Sequence, residues 1–362
     1  MSNLTADKYL GCIIGGAVGD ALGAPIEFYR LREIITEYGT EGVNDYIEFD
    51  DGIGRITDDT QMLLFTADGL LRSTSKGKAT ELRADYLEIC YQSYQRWFHT
   101  QSSGHNKQED TQGILNGWLI QQKSLYKRRA PGNTCLSALR NGIPGNIKNP
   151  INDSKGNGGI MRIAPVGLIQ YSNPEFAFRL GAELAALTHG HPSGYLPAGF
   201  LSSLLAFIIN GFSLKDSIDK SLKILLSHPK HEETRLAIES AIELYEKGNP
   251  SFEKTESLGG AWVGEEALAI SLFCALNFEN NFEKAIQFSI NHSGDADSTG
   301  AITGNIVGLI NGINSIPERW RKQLEDYNLF EEVANDLFTS VTSLSELNED
   351  YDWGKKYPIK NS

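Results

Sequence analysis

Two apolar segments carry glycine at every fourth position: Gly11, Gly15, Gly19 and Gly23 in one, Gly300, Gly304 and Gly308 in the other. That spacing places the glycines on one face of a helix. A glycine inside a helix costs about 1 kcal/mol relative to alanine, so a whole row of them needs compensation. Close approach of two helix backbones supplies it. The two segments are therefore expected to pack on each other in the centre of the molecule, with the rest built around a helical core. Tight packing would account for the glycines without any function.

Apolar residues recur at intervals of three and four through 7–22, 60–73, 84–98, 112–124, 176–188, 195–210, 214–226, 232–247, 263–276, 281–290, 298–312 and 328–344. Strand-like alternation is nearly absent. The pattern predicts an all-α protein, a compact orthogonal multi-helix bundle. Long irregular loops are expected near 28–57, 99–110 and 127–165, where binding residues tend to sit. No linker is visible, and residues 1–362 read as a single domain.

Thr57-Asp58-Asp59-Thr60 and Asp295-Ala296-Asp297-Ser298-Thr299 each crowd carboxylates at the start of an apolar helical run. One helix cap needs one such residue, and two adjacent acids flanked by threonine exceed that need. Like charges this close call for a cation. The donors are hard oxygens with no Cys or His among them, which suits Mg²⁺, Mn²⁺ or Ca²⁺ and argues against zinc. Because glycine-lined helices join the two regions, the second cluster should lie beside whatever the end of the first helix presents, Asp20 or Glu27.

Other segments are weaker signals. Gly156-Asn157-Gly158-Gly159 has the composition of a loop whose amides approach a ligand. His189 and His191, in Thr188-His189-Gly190-His191-Pro192, suit a helix cap or a ligand contact better than a metal. His292 suits support of the metal loop as well as catalysis. The net charge of −13 works against a nucleic-acid partner. No run reads as a membrane span, and no basic segment followed by an apolar core opens the chain, so a cytoplasmic protein is expected. Cys12, Cys90, Cys135 and Cys274 are scattered and read as reduced, buried thiols. No Gly-x-Ser-x-Gly elbow, P-loop or HExxH is present.

Six segments in order, GCIIGGAVGDALGAPIEF at 11–28, TDDTQM at 57–62, RAPGNTCLSAL at 129–139, GNGGIMR at 156–162, LTHGHP at 187–192 and NHSGDADSTGAITGNIVG at 291–308, resemble the ADP-ribosylglycohydrolase family. The resemblance runs through most of the chain and implies an all-α fold around a cleft with two Mg²⁺, or Mn²⁺. It implies Thr57, Asp58, Asp59, Asp295, Asp297 and Ser298 as metal ligands. Ser298 stands where relatives often carry Thr, which keeps the hydroxyl. Ala296 stands where they often carry Thr between the aspartates. Glu27 matches an acidic loop residue that closes over the metals in some relatives. Asn157, Gly158, Gly159 and His189 fall in segments that contact ADP-ribose.

The implied reaction is hydrolysis at the anomeric carbon of the distal ribose, with Glu27, Asp58 or Asp59 as the base. The expected substrate is an ADP-ribosylated protein, arginine-linked above all, and the product ADP-ribose. An alternative is an immunity protein that neutralises an ADP-ribosylating toxin by reversing its modification or by occluding it. A silent structural relative is disfavoured by retention of the ligand set, and a two-metal phosphohydrolase by its lack of histidine ligands.

Overall fold

The computed structural model describes residues 4–47, 52–74, 84–102, 113–343 and 351–359. These form helices joined by loops and short 3₁₀ turns, with two isolated β-bridges and no strand among the described residues. The helices are α1 (Ala6–Gly23), α2 (Leu31–Tyr38), α3 (Asp58–Thr74), α4 (Ala84–Ser102), α5 (Asn133–Arg140), α6 (Ala164–Ile169), α7 (Pro174–Ala186), α8 (Pro192–Ile209), α9 (Leu214–Leu225), α10 (Glu232–Glu246), α11 (Phe252–Glu256), α12 (Gly264–Asn277), α13 (Phe282–Ile290), α14 (Ala296–Asn311), α15 (Glu318–Gln323), α16 (Tyr327–Thr342) and α17 (Tyr351–Lys356).

Helices α1 and α14 pack face to face along their glycine rows. A Cβ on Gly15 would sit 2.5 Å from the carbonyl oxygen of Gly304, and Gly11 and Gly19 meet Gly308 and Gly300 in the same way. Backbone touches backbone, so only glycine fits. Asn305, on α14, donates from Nδ2 to the carbonyl of Cys12 at 2.8 Å and locks the register. Both helices are sheathed by the rest: α16 and α13 flank the pair, α12 covers α14, and α7, α8 and α9 extend the core outward.

Three expectations need correction. Residues 112–124 were expected to be helical; among the described residues they give 3₁₀ turns at Leu119–Gln121 and Lys123–Tyr126, because Gly113 and Gly117 adopt φ +63 and +91 and break the α-pattern. The irregular stretches contain α2, α5 and the 3₁₀ turn Asn157–Gly159, each of eight residues or fewer and so too short for a sustained period in the sequence; much of the 99–110 stretch lies outside the described residues. Two segments, Ala6–Ile26 and Pro192–Ile209, do match a membrane span in length and apolarity, with mean hydropathy 1.4. They are 83% and 94% buried within the protein, as core helices are.

The four cysteines are free and buried. Burial pushes their thiols up, Cys135 to about 11.

Candidate active site

The N-terminus of α3, the N-terminus of α14 and the end of α1 converge on one cleft of about 320 Å³. Its lining includes Glu27, Asp58, Asp59, Asp295, Asp297 and Ser298, together with Asn157, Gly158 and His189. The two acidic clusters meet through a direct bond: Ser298 Oγ donates to Asp59 Oδ2 at 2.8 Å across 239 positions of sequence. Glu27, Asp295 and Asp297 each offer a carboxylate oxygen, all within 4.8 Å of one another. Five carboxylates thus face a cleft with no lysine or arginine in its described lining.

The aspartates are held by backbone and side-chain bonds. Thr57 Oγ1 accepts from the Asp59 amide at 3.2 Å, and the Asp58 amide donates to the Arg129 carbonyl at 3.0 Å. Asp58 Oδ2 accepts from the Gly132 amide at 3.1 Å. Glu325 braces the same corner, accepting from the Ile56 amide at 2.9 Å and from Arg129 at 3.1 Å. On α14, Asp295 caps the helix by accepting from the Ser298 amide at 3.3 Å, and its Oδ2 accepts from Asn157 Nδ2 at 2.8 Å. Glu27 ends the 3₁₀ turn Ala24–Ile26 that continues α1, and its carboxylate makes no hydrogen bond among the described residues.

Burial and mutual repulsion raise the carboxyls of Glu27, Asp58, Asp59 and Asp297. Burial, with Asp295, Asp58 and Asp20 adding repulsion, pushes Glu27 up to about 8. Asp58 rises to about 8 by burial, against the Gly132 amide that lowers it. Asp59 and Asp297 rise well above the carboxylate range, first by burial and then by their acidic neighbours. Such a set is costly without positive charge, and its hard oxygens fit a divalent ion with a preference for oxygen donors.

Asp20 stands behind the cleft. It is fully buried and accepts from the amides of Thr57 at 3.0 Å and Thr60 at 3.1 Å, and from Thr60 Oγ1 at 2.5 Å. Sequence reasoning left it open against Glu27; the structure gives both a place, Glu27 in the cleft and Asp20 under the Thr57–Thr60 turn. Thr57 itself is buried beneath the cleft and lines a neighbouring cavity with Arg55, Arg128 and Arg129.

His189 is fixed by a relay. Buried Arg162 donates from Nη2 to Thr188 Oγ1 at 2.8 Å, and Thr188 Oγ1 bonds His189 Nδ1 at 2.8 Å. Burial, then Arg162, lowers the His189 imidazole to about 3, so it is neutral. Its ring packs under Gly158, where a Cβ would sit 2.9 Å from Cε1. Gly159 does not line the cleft; it packs against Gly194 and Ala185. His191 caps α8, accepting from the Ser193 amide, and buried His292 bonds Thr299 Oγ1 at 2.9 Å behind α14.

Two further cleft residues were not read as site residues in the sequence: Phe28, which closes the 11–28 segment, and Trp262, which lies in none of the six segments. They stack at the cleft edge with ring centroids 5.3 Å apart and planes at 22°.

A family model described as ADP-ribosylglycohydrolase matches residues 1–346. The chain is 26% identical to the ADP-ribosylarginine hydrolase Tri1 of Pseudomonas putida, over 94% of this chain and 80% of that one. It is 23% identical to the ADP-ribosyl-dinitrogen reductase glycohydrolase of Rhodospirillum rubrum, over 88% and 90%. A solved structure described as an ADP-ribosylglycohydrolase-related protein complex superposes with a TM-score of 0.65 at 24% identity, covering 93% of this chain and 99% of that one, and shares its fold.

Proposed function

The chain belongs to the ADP-ribosylglycohydrolase family, and from that premise we propose that it removes ADP-ribose from modified protein side chains, arginine first among them, in a metal-dependent reaction. One observation carries the metal dependence: five carboxylates from separate parts of the chain face one cleft whose described lining has no lysine or arginine and whose one histidine is neutral. ADP-ribose brings a pyrophosphate, which such a cleft would repel unless cations intervened. The arginine preference rests on the name of the Pseudomonas relative.

In this reading Thr57, Asp58, Asp59, Asp295, Asp297 and Ser298 hold two Mg²⁺, or Mn²⁺. When bound, the metal supplies neutralising charge and a Lewis acid for ribose hydroxyls and water. The remaining work belongs to the chain. Asp58 Oδ2 and Asp59 Oδ2 are engaged by the Gly132 amide and Ser298 Oγ, whereas the Glu27 carboxylate is unengaged among the described residues. Glu27 is therefore the group to accept the proton of the attacking water. The remaining carboxylates stabilise the positive charge that develops on the ribose as the glycosidic bond breaks. Asn157, Gly158 and neutral His189 line the wall that receives the rest of ADP-ribose.

A cytoplasmic location belongs to the same proposal, supported by the four unpaired cysteines. Neither the cleft nor the relatives' names favour toxin occlusion.

The test offers ADP-ribosyl-arginine and ADP-ribosyl-serine peptides to the purified protein with Mg²⁺ and then with EDTA. Release of ADP-ribose from the arginine peptide, lost in EDTA, is expected. Unchanged release in EDTA would remove the metal from the mechanism. Asp297→Ala should abolish turnover with the circular-dichroism spectrum retained, and a fully active variant would sink the metal assignment.

A further inference from the structure

Phe28 follows Glu27 directly, is 69% exposed, and adopts φ +73, a conformation that side chains other than glycine rarely take. Its partner Trp262 is 44% exposed and follows Ala261, which also has positive φ, +60. Phe28 is itself strained and Trp262 follows a strained residue, so a stacked ring pair presented to solvent in this way needs a reason. The segments are stapled to the acid loop. The Phe28 amide donates to the Gly294 carbonyl at 3.2 Å, the Gly294 amide to Tyr29 at 3.3 Å, and the Asp295 amide to Gly260 at 2.9 Å. Asn157 Nδ2 donates both to the Ala261 carbonyl and to Asp295 Oδ2, each at 2.8 Å. The ring pair is thus set at a fixed offset from the reacting carboxylates.

The pair also divides space. It lines the catalytic cleft on one side and, on the other, a second cavity of about 370 Å³ that includes Arg30, Glu256 and Ser293. On the cleft side every described charged group facing the rings is acidic. Exposed aromatic faces, whose π-clouds are negative, favour a planar cation over a phosphate.

We infer that Phe28 and Trp262 form the acceptor subsite, a stacking platform for the guanidinium of the arginine from which ADP-ribose is removed, with the second cavity taking the polypeptide beyond it. A guanidinium stacks on an aromatic face while a serine hydroxyl does not, so the platform discriminates between acceptors. This rests on the proposed arginine reading.

The experiment uses the full chain with Mg²⁺ and compares wild type, Trp262→Ala and Trp262→Phe. For the ADP-ribosyl-arginine peptide, Trp262→Ala should raise KM about tenfold and Trp262→Phe should restore most of it, as loss of a cation–π contact predicts. The Kd for free ADP-ribose, by calorimetry, should stay within about twofold. Unchanged KM overturns the subsite. An equal loss of ADP-ribose affinity also overturns it, because the rings would then hold the nucleotide. N-acetylarginine amide binding, followed by tryptophan fluorescence, separates the two claims: quenching in wild type that disappears in Trp262→Ala supports the platform even if the arginine peptide is not hydrolysed, and its absence overturns it.

Discussion

Asp20 shows how a residue outside the cleft governs it. Its carboxylate gathers the Thr57 and Thr60 amides and the Thr60 hydroxyl, which fixes the turn that presents Asp58 and Asp59. Replacing it with asparagine removes a charged acceptor from a fully buried position. Asp20→Asn should weaken Mg²⁺ binding about 10- to 100-fold by calorimetry, the usual cost of losing a group that supports ligands. Affinity equal to wild type would show the turn to be self-supporting. Asp58, Asp59, Asp295 and Asp297 were legible in the sequence because adjacent acids are conspicuous. Asp20 was singled out only as an alternative to Glu27, and its role was not legible, since a single acid in an apolar helix looks the same whether it faces solvent or anchors a turn 37 positions away. Trp262 was invisible for a similar reason: its role comes from a neighbour, Phe28, contributed by the other end of the chain.

At the level of elements, the α1–α14 pair depends on the missing side chains of its glycines. Gly304→Ala would drive a methyl group into the Gly15 backbone. The helices must then separate, and a loss of about 1–3 kcal/mol is expected from overpacking. Thermal denaturation should show a lowered Tm, and Mg²⁺ affinity should fall with it because the two clusters are drawn apart. A variant with wild-type Tm would mean that the helices can slide without cost. Most long helices were readable from apolar spacing. Short ones were not: α2 buries only Leu31 and Ile34, too little for a periodic signal. The 112–124 stretch failed in the opposite direction, its apolar residues mimicking a helix that Gly113 and Gly117 interrupt.

For the whole molecule, the acidic cleft links stability to pH. Glu27 moves from 4.5 to about 8 on folding, Asp58 from 3.8 to about 8 and Asp20 from 3.8 to about 6. Between these limits the folded, metal-free protein holds protons that the unfolded chain has released, so stability falls as pH rises. In EDTA, Tm should drop by on the order of 5 °C from pH 5 to pH 8. Mg²⁺ should raise Tm more at pH 8 than at pH 5, since protons and metal compete for the same oxygens. A Tm in EDTA that rises across this range would contradict the shifts. The fold class was legible because periodicity extends over the whole chain. The meeting of the clusters was legible only through the glycine rows, and the cleft's outer wall was not legible at all.

The lock between α1 and α14 also sets an order of events during synthesis. Asn305 bonds a carbonyl 293 positions earlier, so α1 leaves the ribosome long before the surface that covers it exists. Until then its apolar glycine face has no native partner and Glu27 has no aspartate pair beside it. A nascent chain stopped before α14 therefore lacks three of the oxygen donors that line the cleft. The cleft gains Asp295, Asp297 and Ser298 only when that last central helix docks.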